Sequence, residues 1–155
     1  MLERFYMNTV LPAQDGDRAR AFYRDVLGLK LLSGPTDDPM MFQAGAGTGL
    51  VITEIPERVP PDYAVVSFLV EGIEQLVQEL EARDVTFVEL DASSFQGQAG
   101  VTAGHITDFG PVKSAWFKDS EGNVLAMNEL VSYRYGASVN RLTRASSSAA
   151  ICSRP

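Results

Sequence analysis

The sequence predicts an α+β domain in which one unit, a strand followed by a helix and about three more strands, is written twice. Three observations carry this. Two amphipathic helices recur at matching places, each follows an alternating segment, and the ends of the two halves align.

The first helix is read from DGDRARAFYRDVLG. Ala19, Phe22, Tyr23 and Val26 fall at i, i+3, i+4 and i+7, acidic residues precede the run, and Gly28 stands where a C-terminal cap belongs. In GIEQLVQELEARDV the residues Ile73, Leu76, Val77 and Leu80 repeat that spacing. The alternating segments FYMNTVL (5–11) and AVVSFLV (64–70) precede the helices, and LKLL (29–32) and VTFVEL (85–90) follow them. GTGLVITEI (47–55) then lies over GNVLAMNEL (122–130), which pairs Leu50 with Leu125 and Glu54 with Glu129. The expected organisation is one domain over 1–135, with modules at about 1–56 and 62–131, and a flexible C-terminal tail at 136–155. PERVPPD (56–62), with its three prolines, reads as an extended linker. DASSFQGQAGVTAG (91–104) reads as a mobile loop, and GAGTG (45–49) as a hairpin turn rather than a phosphate-cradling loop.

Charge narrows the partners. Nine Lys and Arg against twenty Asp and Glu leave residues 1–129 at −11, while four arginines and no acid give the remainder +4. An acidic body repels phosphate backbones and anionic membranes, so neither nucleic acid nor membrane is expected as a partner, and cationic ligands are favoured. No apolar run reaches the length of a bilayer span, the N-terminus lacks the pattern of a secretory signal, and the single Cys152 forms no internal disulfide; a cytoplasmic protein is expected.

Strand parity sorts the side chains into two faces. One set, including Phe5, Met7, Leu11, Leu50, Ile52, Val66, Phe68, Val70, Ala115, Phe117, Leu125 and Met127, is apolar and is expected beneath the helices. The other set includes Tyr6, Asn8, Val51, Val65, Ser67, Ser114, Trp116, Ala126 and Asn128. It mixes small apolar groups with uncharged hydrogen-bonding ones, the composition of a ligand cavity.

The stretches DGDRARAFYRDVLGLKLL (15–32), FLVEGIEQLVQELEARDVTF (68–87) and DFGPVKSAWFKDSEGNVLAMNE (108–129), taken in this order with the duplication, resemble the vicinal oxygen chelate superfamily of glyoxalases, bleomycin-resistance proteins and extradiol dioxygenases. The resemblance covers most of residues 1–130. It implies two βαβββ modules forming a curled mixed sheet around a cavity. In the turn DSEG, Gly122 is expected in the left-handed conformation, and Asp119 as a turn-capping side chain rather than an acid catalyst.

Metalloenzymes of the superfamily hold a divalent ion with His, Glu or Gln at up to four equivalent strand positions. Here these positions carry Asn8, Val51, Val65 and Ala126, a set unable to ligate a metal, so no metal and no other cofactor are expected. Three functions follow as alternatives. The first is a metal-independent small-molecule binder of the resistance or sequestration type, with Tyr6, Asn8, Ser67, Ser114, Trp116 and Asn128 as ligand-binding residues. The second is a lyase or isomerase acting on a small carbonyl compound, with His105 or Glu129 as candidate catalytic groups and Tyr6 as a further acid or base. The third is a module whose sheet face mates with another subunit, since the resemblance implies a homodimer.

Overall fold

The computed structural model describes residues 1, 3, 7–89 and 100–131. Phe5, Tyr6, most of the 91–104 loop and the tail at 136–155 lie outside the described residues.

In the first half, β1 (Asn8–Ala13) leads into α1 (Gly16–Ala21), which continues as a π-helical turn (Phe22–Val26). Asp15 caps α1 by accepting from the Arg18 N–H at 2.9 Å. The helical segment ends at Gly28, whose φ of 70° is the left-handed conformation expected of a cap, and the Leu29 N–H returns to the Tyr23 carbonyl at 2.9 Å. β2 (Lys30–Leu31), β3 (Met40–Gln43) and β4 (Gly49–Glu54) follow. The predicted turn at GAGTG joins β3 to β4.

The second half runs β5 (Ala64–Leu69), α2 (Ile73–Glu81), β6 (Phe87–Val88), β7 (Val101–Ala103), β8 (Ile106–Asp108), β9 (Val112–Lys118) and β10 (Val124–Leu130). The strand order of the first half is β1-β4-β3-β2, with β1 parallel to β4. The second half repeats it as β5-β10-β9-β6, with β5 parallel to β10. The β7–β8 hairpin is an addition that pairs with β9 through β8, so the predicted loop ends in a strand at 101–103. The four-stranded and six-stranded sheets are separate in their hydrogen bonding, and neither closes on itself among the described residues.

The helices and the inner faces of both sheets share one core, which includes Leu11, Ala19, Tyr23, Phe42, Leu50, Ile52, Ile73, Val77, Phe117, Leu125 and Met127. Parity places most of this set correctly. Two residues depart from it. Met7 lies just before β1 and is 85% exposed. Val65 sits at a bulge where the β5–β10 register shifts, Val124 pairing with Ala64 but Leu125 with Val66. The extra residue reverses the alternation, so Val65 packs against the main core and Ala64 takes the opposite face.

The DSEG hairpin clasps the other module. Gly122 adopts φ 79°, and Asp119 accepts from the Glu121 and Asn123 amides at 2.9 and 2.7 Å and from the Tyr23 hydroxyl at 2.7 Å. Glu121 is buried and accepts from the Gln14 and Asp15 amides at 2.8 and 3.0 Å and from the Arg18 guanidinium at 2.7 and 3.0 Å. Arg58, from the linker, donates to the Glu121 carbonyl at 2.8 Å and to Asn123 Oδ1. No helix among the described residues is long and apolar enough to cross a membrane.

Candidate functional site

On the sheet faces turned away from the helices, exposure divides by strand. Asn8, Val10, Ser67 and Leu69 are exposed, Val51, Thr53 and Asn128 are half-buried, and Ser114, Trp116, Val124 and Ala126 are buried. The buried part is a small apolar cluster of Trp116, Val124 and Ala126 with Ala64, Val88 and Phe109 packed on it. Phe109 meets the Trp116 ring edge to face at 6.5 Å between centroids. The Trp116 ring is thus occupied by the fold rather than held open for stacking on a ligand.

Beside that cluster runs an uncharged polar row. The pairing registers place Thr102 beside Thr107, Thr107 beside Ser114, and Ser114 beside Asn128, so all four lie on one face across β7, β8, β9 and β10. Ser114 Oγ donates to Asn128 Oδ1 at 2.7 Å, and Asn128 Nδ2 donates to Ser67 Oγ on β5 at 2.5 Å. The hydroxyls of Thr102 and Thr107 lie 2.9 Å apart. Three of the predicted ligand-binding residues, Ser67, Ser114 and Asn128, are therefore joined in one chain. Asn8 stands on β1, its side chain lying over Gly49 of β4, where an added Cβ would come within 2.3 Å of Asn8 Oδ1. Tyr6 lies outside the described residues.

The four positions at which the resemblance implies metal ligands lie in different surroundings. Ala126 is buried in the apolar cluster, Val65 is turned into the main core, Val51 is hydrocarbon, and Asn8 supplies a lone amide. No group of three or more His, Cys, Asp or Glu able to hold a metal occurs among the described residues.

The two candidate catalytic groups stand elsewhere. Glu129 Oε1 accepts from the Gly72 N–H at 2.6 Å, at the N-terminus of α2. Glu54 does the same for α1, with Gly16 N–H donating to Oε2 at 2.9 Å. The sequence repeat that pairs these two glutamates thus marks a shared role in closing helix N-termini. His105 lies in the turn between β7 and β8, stacked on Phe87 at 4.7 Å with Nε2 3.2 Å from Glu81 Oε1. Phe87 packs against the helix-side core, so the His105 ring is held on that side, although its hairpin carries Thr102 and Thr107 of the polar row.

The helix side also holds an apolar cavity of about 270 Å³ between the π-helical turn and α2, floored by Phe68, Phe117 and Met127. Sequence parity gives no sign of it, because it arises where the two modules meet.

Residues 6–45 match the family described as bleomycin resistance protein-like N-terminal. In fold, the chain is similar to the lactoylglutathione lyase from Agrobacterium tumefaciens, with a TM-score of 0.57 and 19% identity over 83% of this chain and 96% of that one. A putative glyoxalase family protein from Bacillus anthracis gives a TM-score of 0.57 and 20% identity over 82% and 98% of the two chains. A glyoxalase/bleomycin resistance protein/dioxygenase from Alicyclobacillus acidocaldarius gives a TM-score of 0.59 and 18% identity over 83% and 93%. No curated protein matches the chain by sequence. Identities this low carry the architecture and leave the chemistry to the residues.

Proposed function

We propose that this chain, which has the glyoxalase/bleomycin-resistance fold, is a metal-independent small-molecule-binding protein of the resistance or sequestration type within the vicinal oxygen chelate superfamily. The observation that carries this reading is the uncharged chain Ser114–Asn128–Ser67, laid across three strands beside small apolar residues. Oriented hydrogen-bonding groups at the border of apolar surface fix and select a ligand without reacting with it. Asn8, on the corresponding face of the first module, adds a further amide.

The lyase or isomerase reading needs an acid or base that meets the substrate. Two of its three candidates, Glu129 and His105, are engaged at a helix N-terminus and at a hairpin turn, which favours binding over catalysis; the third, Tyr6, lies outside the described residues.

A thermal-shift screen of neutral and cationic aromatic compounds, run beside divalent metals, tests the proposal. The expected result is stabilisation by one class of organic compound, growing with concentration as mass action requires, and none by metals. Stoichiometric Fe, Mn, Ni or Zn retained by the purified protein and removed with loss of stability would overturn it.

A further inference from the structure

Resting on that binding reading, we infer that Asn128 is the specificity-determining residue, and that the ligand is a neutral planar molecule with a hydrogen-bond donor and acceptor side by side, as on a lactam, a carboxamide or a nucleobase edge. A primary amide has two N–H donors on nitrogen and two lone pairs on oxygen. In Asn128, Ser114 takes one lone pair at 2.7 Å and Ser67 takes one N–H at 2.5 Å. What remains is one donor and one acceptor on the same flat group.

The two serines stand on the strands either side of β10, so they hold the amide against rotation from both flanks. A pre-oriented amide loses little freedom when it binds and discriminates better than a free one. Only half-buried, Asn128 keeps its remaining positions within reach of a ligand. On the neighbouring strand β5, Ser67 and Leu69 are exposed, and Leu69, paired with Asn128, offers a flat ring apolar contact. A ligand lacking either the donor or the acceptor leaves one amide position unpaired, which a site of this kind penalises.

The test uses the full chain and three small probes: 2-pyridone, which has the adjacent donor and acceptor; N-methyl-2-pyridone, which lacks the donor; and 2-aminopyridinium at pH 6, which has two donors. Trp116 is the only tryptophan and pairs across the strands with Ala126, so its indole N–H signal in an ¹⁵N-labelled sample reports on this face. The expected result is a saturable shift with 2-pyridone and binding weaker by roughly tenfold for the N-methyl compound, the loss of one hydrogen bond. Asn128→Asp replaces the donor with a second acceptor, so it should lose 2-pyridone and gain 2-aminopyridinium. Ser67→Ala, an exposed change, should weaken 2-pyridone several-fold by freeing the amide, and it serves if Asn128→Asp does not fold. Equal binding of the two pyridones, no saturable shift with 2-pyridone, or indifference to Ser67→Ala overturns the inference. If other compounds from the thermal-shift panel still bind at this face without sensitivity to Asn128, the binding reading stands and only the assignment of ligand class fails.

Discussion

Burial alone would raise the Glu121 carboxyl. The Arg18 guanidinium, the Asp15 and Gln14 amides and the Ser120 hydroxyl outweigh it and bring the group down to about 2. The folded value lies below the ordinary 4.5, so this contribution is fully present above that pH and is lost as pH falls toward 2. Arg18 is half-exposed, which screens its share. We expect urea-unfolding stability to drop by about 2 kcal/mol between pH 5 and pH 2 through this residue. In Glu121→Gln the protein should be weaker at pH 7 and its acid sensitivity reduced, and an unchanged pH profile would count against the assignment. A second prediction concerns Gly122, which sits at φ 79° and whose added Cβ would lie 3.2 Å from Pro60 Cγ. Gly122→Ala should cost about 1–2 kcal/mol, measured as a lower urea midpoint at constant slope. The Gly122 conformation and the capping role of Asp119 are legible in DSEG because turn chemistry is local. The burial of Glu121 is not, since its partners Gln14, Asp15 and Arg18 stand about a hundred residues earlier.

At the scale of elements, periodicity reveals the helices and alternation reveals most strand faces, because each depends only on near neighbours. The bulge at Val65 breaks the alternation, and its signal lies in the pairing with β10 rather than in the strand's own residues. The π-helical turn is hidden for a related reason: one residue more per turn still leaves Ala19 and Tyr23 buried together. The repeat pairing Glu54 with Glu129 is visible in the sequence, and the structure shows what it encodes, a carboxylate at the end of each module's last strand that accepts from the start of that module's helix. Glu129→Ala is therefore expected to lower stability by about 1 kcal/mol, by analogy with a lost helix cap, while leaving ligand affinity at the polar row unchanged. Calorimetric melting and titration with any ligand found by the screen check both halves of that statement, and a tenfold loss of affinity without loss of stability would return Glu129 to the site. Of the candidate site, strand parity brings Ser67, Ser114 and Asn128 to one face correctly. Whether Trp116 is open or covered depends on Phe109, which reaches it from the segment after β8.

For the molecule as a whole, the acidic body and the duplicated plan are properties of the complete sequence and can be read from it, while the clasp between modules appears only once both halves are assembled. Arg58 closes it from the linker, bonding the Glu121 carbonyl and Asn123, while Asn123 Nδ2 reaches back to the Pro12 carbonyl at 3.1 Å. Removing the guanidinium strands buried acceptors, so Arg58→Ala should cost about 2 kcal/mol or more. Because one core serves both modules, unfolding should remain a single transition by circular dichroism and by Trp116 fluorescence, the two curves coinciding. Separate transitions would show that the modules unfold independently.

The clasp also fixes an order of events during synthesis. Gln14, Asp15, Arg18 and Tyr23 leave the ribosome well before the tip that will engage them. The nascent first module therefore waits with these groups unengaged, and the β9–β10 hairpin, translated about a hundred residues later, is the part that fastens the two modules.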